Sequence, residues 1–354
     1  MHQLYTQAQP EAAFIANIGP LVEPTSKQAY SRHRQKGGVR VPPGLFAHNV
    51  QGKVVLAVHA QETQRAKGVL GRMLQELTKD SPSGQIRKFS TASYSTSGST
   101  KILDGAPVRP YMLPSNGEVL EFRRREALRA EVANLTATES GSVFAESYAE
   151  ILESSIADTV SLNAALTRPL SQSYSGPVAT QLKQVAKIIQ AQRDGLLSSE
   201  REFFYVSLGA FDTHNSPLSD GKLGQVETGL APFVAEMKAI GMWDKVTVVV
   251  GSEFGRTLTS NGKGTDHGWG GHTFVMGGQI KGGVIHGQYP RTLGSNHELS
   301  AGRGRVIPTT SWESLWNAVG QWLGLEDASL HKILPNLKNF QGCAGPGCGV
   351  LTAQ

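Results

Sequence analysis

Three short apolar runs in the carboxyl-terminal half restrict the fold more than any other feature of this chain. Phe203-Phe204-Tyr205-Val206-Ser207-Leu208, Val246-Thr247-Val248-Val249-Val250 and Thr273-Phe274-Val275-Met276 show little polar alternation. Runs of that kind are strands covered on both faces. Between the first two, residues 221–241 carry a helical period, with Leu230, Phe233, Val234 and Met237 as the face to be buried. Strand, helix, strand in that order predicts a βαβ unit with 203–208 and 246–250 paired in parallel. Sites in such sheets lie just beyond the carboxyl ends of the strands.

The remainder of the 354 residues reads as further strand and helix around that unit. Ala12 to Gly19 is an apolar run stopped by Gly19-Pro20, a buried strand. Lys53 to Ala60 fits a strand or a helix start. Glu62 to Leu77 has helical spacing, with Val69, Leu70, Met73, Leu74 and Leu77 on one face. Residues 80–120 are rich in Ser, Thr, Gly and Pro without a period and predict a long surface excursion. Residues 121–165 predict two helices parted by Gly141, with Phe122, Leu128, Val132 and Leu135, then Phe144, Tyr148, Ile151, Leu152 and Ile156, as core stripes. A linker at 171–177 leads to a third helix that turns Leu182, Val185, Ile188 and Ile189 inward.

The formal net charge of +5 is small for this length, and Arg32-His33-Arg34 and Arg123-Arg124-Arg125 are its densest basic clusters. No nucleic-acid partner is expected from so slight an excess. No apolar run approaches a membrane span. Cys343 and Cys348 would close a small disulfide loop in an exported protein and stay two thiols otherwise.

Residues able to bind a cation gather where the apolar runs end. The first is followed by Asp212 and His214, the second by Glu253 and Arg256, and the Gly-rich stretch before the third contains Asp266, His267 and His272. Any one cluster alone is weak, since Asp212 suits a turn, His214 a helix cap, and Glu253 a pairing with Arg256. Together at strand ends they predict one shared metal site. Carboxylate and imidazole suit zinc, manganese or iron, and carboxylate alone magnesium or calcium. Arg256 and Thr257 stand where a phosphate or sulfate oxygen would be held. The other histidines read as ordinary surface or core residues, with His48 and His286 the two nearest to an exception.

Phe211-Asp212-Thr213-His214, Ser252-Glu253-Phe254-Gly255-Arg256-Thr257 and Gly264-Thr265-Asp266-His267-Gly268 resemble the signature of the family of domain of unknown function 1501. Ala16 to Leu21, Leu45-Phe46-Ala47-His48-Asn49, Arg303 to Ser311 and Leu334-Pro335-Asn336-Leu337 resemble its other blocks. That family is related to the alkaline phosphatase and sulfatase superfamily. The resemblance implies a single α/β domain over 1–354, a three-layer sandwich with a mostly parallel central sheet. Residues 80–200 would be a helical or irregular insertion, and 203–325 the metal-bearing half. It also implies hydrolysis of phosphate or sulfate esters with a divalent metal (zinc, manganese, magnesium or calcium), acting on an anionic small-molecule or polysaccharide ester.

By motif, Asp212, His214 and either His267 or His272 map to one metal, with Asp266 a further ligand. Glu253 keeps a carboxylate for a second metal or acts as base, Phe254 offers no ligand, and Arg256 would clamp the anion. The family normally opens with an export signal and a strand ending in Gly-Gly-x-Asp-Gly. The chain is therefore expected to be a member shortened at its amino end, and periplasmic or secreted. The alternative function is a non-catalytic metal-binding or secreted interaction protein that keeps the fold.

Overall fold

The computed structural model describes residues 1–62, 65–114, 125–137, 141–218, 220–294 and 296–340. Cys343 and Cys348, and with them the disulfide question, lie outside these residues, as does Phe122. The helices are α1 (His2–Thr6), α2 (Lys27–Ser31), α3 (His48–Ala57), α4 (Val69–Leu77), α5 (Arg125–Thr136), α6 (Val143–Leu166), α7 (Pro177–Arg193), α8 (Asp220–Ala239), α9 (Trp312–Trp322) and α10 (Asp327–Ile333). The strands are β1 (Ala12–Gly19), β2 (Thr91–Ser95), β3 (Tyr111–Met112), β4 (Arg201–Tyr205), β5 (Thr247–Val249), β6 (Arg256–Ser260), β7 (Thr265–His267), β8 (Gly271–Gly277), β9 (Ile285–His286) and β10 (Thr310–Ser311).

The fold is mixed α/β. One sheet runs β10-β1-β8-β5 with β9 added to β1, a second runs β3-β2-β4, and β6 and β7 form a two-stranded ribbon. Pairing within them is both parallel and antiparallel. β8 lies antiparallel to both β1 and β5, while β10 and β9 join β1 in parallel and β2 is parallel to β3 and β4. The expected ladder between the two flanking strands of the βαβ unit does not form. β4 pairs with β2, and β5 takes the end of the seven-residue strand β8 instead.

Packing on both faces accounts for the apolar runs, although β4 and β5 are themselves only half-buried. Successive residues of the strands alternate between two cores. Ala13, Ile15, Val275, Phe203, Tyr205 and Val249 pack with residues of α3, α4, α9 and α10. Ala12, Met276, Phe204, Val206, Val246 and Val248 pack with α7 and α8. Met276 and Met237 are fully buried in the second core, and each such side chain contributes about 1.5–3 kcal/mol.

Several local expectations change. The stretch 80–120 is not wholly a surface excursion, because Thr91-Ala92-Ser93-Tyr94-Ser95 is buried as β2 in the centre of its sheet. Apart from Tyr94 its side chains are small, and three of the five are serine or threonine, so its ladder to β4 rather than any apolar pattern brings it inside. Lys53 to Ala57 lies in the helix α3, which is capped by Val58 in the left-handed region, and His59 and Ala60 follow it. The helix expected over 62–77 begins only at Val69. On α6, Phe144, Tyr148 and Ile151 are exposed rather than core. That helix instead docks by Leu162, Ala165 and Leu166 against Ile188 and Ala191 of α7. No helix among the described residues is long and apolar enough to cross a membrane.

Buried polar groups tie the helices together. Glu236 of α8 accepts from the Ser171 and Gln172 backbone amides and the Ser171 hydroxyl, fixing the linker before α7. Glu313 of α9, 2% exposed, accepts from the Asn336 amide at 2.8 Å and its Nδ2 at 2.7 Å. Asn336 in turn exchanges hydrogen bonds with Gln61. Arg72 of α4 gives its guanidinium to the carbonyls of Lys67, Ala57 and Ile333.

A candidate metal centre at the strand ends

The chain leaves β4 through a loop that turns at Ala210, held at φ 69°, and delivers Asp212 and His214. It leaves β5 toward Glu253 and Phe254 and then enters β6 at Arg256. The ribbon of β6 and β7 is closed by an Asx turn in which Asn261 Oδ1 accepts from the Lys263 and Gly264 amides. A side chain at Gly264 is excluded, since a Cβ there would lie 2.0 Å from the Thr213 carbonyl. That close approach allows the Thr265 amide to bond Thr213 O at 2.9 Å, which fastens β7, with Asp266 and His267, against the loop carrying His214. The remaining contributor is the first residue of α3, His48.

Asp212 is the hub. Its Oδ1 accepts Arg256 Nη1 at 2.7 Å and lies 3.2 Å from His214 Nε2 and 3.3 Å from His267 Nε2. Its Oδ2 lies 3.2 Å from His48 Nε2. Donor atoms of His48, Asp212 and His267 all fall within 4.8 Å of one another. Partial desolvation pushes the Asp212 carboxyl upward, but the Arg256 and His48 hydrogen bonds and the nearby positive charges outweigh it and hold it at about 2. Asp212 is thus an anion at any ordinary pH.

Each imidazole is oriented from behind. His267 Nδ1 lies 2.8 Å from the Phe46 carbonyl, which can only accept, so Nδ1 bears the proton. His214 Nδ1 faces Asp266 Oδ1 at 3.2 Å. The Asn261 amide, bonded to that same oxygen, heads the causes that keep Asp266 below the ordinary carboxylate range, so it too accepts. His48 Nδ1 meets Glu253 Oε2 at 2.5 Å, and this bond leads the effects that raise the His48 pKa. Gly52, one turn along α3, makes room for Glu253, because a Cβ there would sit 3.1 Å from its carboxyl carbon.

With Nδ1 protonated on His214 and His267, both Nε2 atoms present lone pairs, yet they stand 2.8 Å apart beside an ionised carboxylate. Lone pairs so placed repel unless a proton or a cation lies among them. The donor set fits a metal: imidazole nitrogens with carboxylate or carbonyl partners on their far side are the usual metal-ligand arrangement. Phe254, by contrast, is a wall. Its ring stacks on His267 at 4.2 Å and leans on His48 at 4.8 Å.

Of the residues expected from sequence, Asp212, His214, Asp266, His267 and Glu253 come together. Glu253 and Asp266 touch the cluster through His48 and His214 rather than at its centre. His272, on β8, lies against Tyr289 with ring centroids 4.6 Å apart, and desolvation lowers its pKa. Arg256 is spent on the protein itself, through Asp212 and through Thr265 Oγ1 and O. Thr257, 5% exposed, accepts the Asp266 amide at 3.0 Å. Sequence reasoning missed the central place of His48, whose available signal was the Leu45 to Asn49 block, and the bracing role of Asn261.

Strands sandwiched between helices, with oxygen and nitrogen donors converging on the loops that leave them, define a mixed α/β protein with an acid–imidazole centre. The chain matches the family described as Protein of unknown function (DUF1501) over residues 29–333, and belongs to that family. No curated protein and no solved structure matches it.

Proposed function

We propose that this chain is a metal-dependent hydrolase of phosphate or sulfate esters, with Asp212, His48 and His267 holding the cation and His214 beside them. The observation that carries this reading is the 2.8 Å approach of the His214 and His267 Nε2 atoms beside the Asp212 carboxylate. Helix-borne cores on both faces of the strands support, as its frame, a three-layer alkaline-phosphatase-like sandwich. The export expectation, periplasmic or secreted, goes with the same proposal.

A bound divalent cation supplies Lewis-acid polarisation of the ester and neutralises developing charge. The remaining work falls to the chain. Glu253, Asp266 and the Phe46 carbonyl hold the Nδ1 protons of His48, His214 and His267, so each Nε2 is turned toward Asp212. Arg256 fixes the Asp212 carboxylate in rotation. Phe254 dries one side of the two imidazoles. Mixed nitrogen and oxygen donors favour zinc or manganese over magnesium or calcium. The substrate class is an anionic small-molecule or polysaccharide ester.

A second reading, metal binding without turnover, is favoured by Phe254, which packs on His48 and His267 where the superfamily places a further ligand. Elemental analysis of the purified protein, followed by release of aryl phosphate and aryl sulfate with added manganese or zinc, separates the two. Bound metal with turnover supports the hydrolase, and bound metal without turnover supports the second reading. Protein that retains no transition metal under any loading condition defeats both.

A further inference from the structure

The sequence offers Arg256 as the group that receives an anion, yet its donors are taken by Asp212 and Thr265. Two other guanidinium groups stand beside the centre with donors to spare. The Arg305 Cζ lies over the Phe46 ring, 3.8 Å from its centroid, and Nε donates to the His267 carbonyl at 3.3 Å. Phe46 is the residue whose own carbonyl orients His267. The ring contact and the Nε bond hold the Arg305 fork and leave its Nη1 and Nη2 without a hydrogen-bond partner among the described residues.

Arg303 reaches the same place by a strained turn. It is exposed and sits at φ 56° between Gly302 at 83° and Gly304 at 71°. A left-handed conformation is natural for the two glycines and costs a non-glycine residue about 1–2 kcal/mol. The turn is pinned to the ribbon: the Leu258 amide donates to Gly304 O at 2.7 Å, and a Cβ at Gly304 would lie 2.2 Å from Thr259 Oγ1. Arg303 is therefore carried by the ribbon that presents Asp266 and His267, and its charge is felt at Asp266. Among the described residues neither Arg303 nor Arg305 has a carboxylate within ion-pair distance. A turn that holds a non-glycine residue under strain, and places an exposed cation close enough for its charge to be felt at both Asp266 and Arg305, is the pattern of a binding group.

We propose that Arg303 and Arg305 form an oxyanion subsite that takes the phosphate or sulfate oxygens of the substrate, in place of Arg256. The planar fork of a guanidinium matches those oxygens two at a time. The identification of the oxyanion as part of an ester rests on the hydrolase reading; the subsite itself does not.

The test is titration calorimetry of inorganic phosphate and of inorganic sulfate into the protein as isolated and after manganese loading. Arg303→Gln, Arg305→Gln and Arg305→Lys are compared with wild type, and metal content is measured in parallel. We expect wild type to bind at least one of the two anions. Each Gln variant should bind it about tenfold more weakly, the loss of a charge-assisted hydrogen bond, with metal content unchanged. Arg305→Lys should recover only part of the affinity, because charge without the fork is a poorer match. If Arg305→Gln fails to fold, the exposed Arg303→Gln decides. No anion binding by wild type, or equal binding by Arg303→Gln, overturns the proposal. Turnover of aryl esters with a KM unmoved in Arg303→Gln leaves the hydrolase standing and removes the subsite. Arginine-dependent anion binding without turnover does the reverse.

Discussion

Asp212 and Glu313 are both carboxylates held by several partners, and the molecule treats them in opposite ways. Burial raises Glu313 to about 7, against the pull of the Asn336 hydrogen bonds and the charge of Arg72. Asp212, on an open rim, is held at about 2 despite partial desolvation. Around Glu313 donors meet acceptors: Asn336 serves it twice and pairs with Gln61 as well. Around Asp212 acceptors crowd one another, with His214 and His267 facing across 2.8 Å. The first region is complete within the chain and stabilises the fold. The second gathers its acceptors at an open edge, where the proposed cation would lie among them.

Exchanging the two regions' fates is the way to break that contrast, and the largest effect belongs to the rim. Asp212→Ala should weaken manganese or zinc binding by at least about a thousandfold, since losing a group that merely orients a ligand already costs about 10–100-fold. Its metal-free stability in urea should stay within about 1 kcal/mol of wild type. Unchanged metal affinity would remove Asp212 as the hub. Asn336→Ala should do the opposite. Leaving Glu313 buried without its donors should cost about 3 kcal/mol of unfolding free energy, with metal affinity per folded molecule preserved.

The pH dependence sharpens the comparison. A carboxyl whose folded pKa is about 7, against 4.5 for an ordinary glutamate, binds more protons folded than unfolded between those values. Stability must therefore fall as pH rises from about 5 to 8, by up to roughly 3 kcal/mol from this group. Glu202, also raised to about 7 by burial, adds in the same sense. Urea unfolding at pH 5 and pH 8 checks it: Glu313→Gln should flatten the slope relative to wild type, and an unaltered slope would show that Glu313 is ionised without penalty. The smallest effect is at Glu253→Gln, where loss of the His48 Nδ1 partner should lower metal affinity by about tenfold. An effect as large as that of Asp212→Ala would instead make Glu253 a ligand in its own right.

The parts of the molecule visible in the sequence are those where side chains alone report the environment. Phe203 to Leu208 and Val246 to Val250 read as strands because both faces are covered, and 221–241 read as a helix because α8 buries a single stripe. What the side chains could not tell was pairing. The partner of β5 is β8, lying antiparallel, and nothing in either run encodes that choice. β2 hides behind serine and threonine. The ribbon of β6 and β7 is polar, and a turn centred on Asn261 closes it. In the centre, Asp212, His214, Asp266 and His267 follow or precede strands and so announce themselves together. His48 stands 164 residues from Asp212 at the start of a helix, where one imidazole carries no periodic signal. His272, only five residues past His267, looks as suitable on paper, but the extended course of β8 carries it to Tyr289.

The seven residues from Phe46 to Gly52 act on several groups at once. Phe46 braces His267 with its carbonyl, supports Arg305 with its ring and gives its own amide to Gln51 at 2.6 Å. His48 reaches Asp212 and Glu253, and Gly52 clears space for Glu253. Phe46 and the first turn of α3 thus act as a clasp on groups from four distant segments, at Asp212, Glu253, His267 and Arg305. If that turn frays, the bracing of His267, Glu253 and Arg305 is lost in a single event.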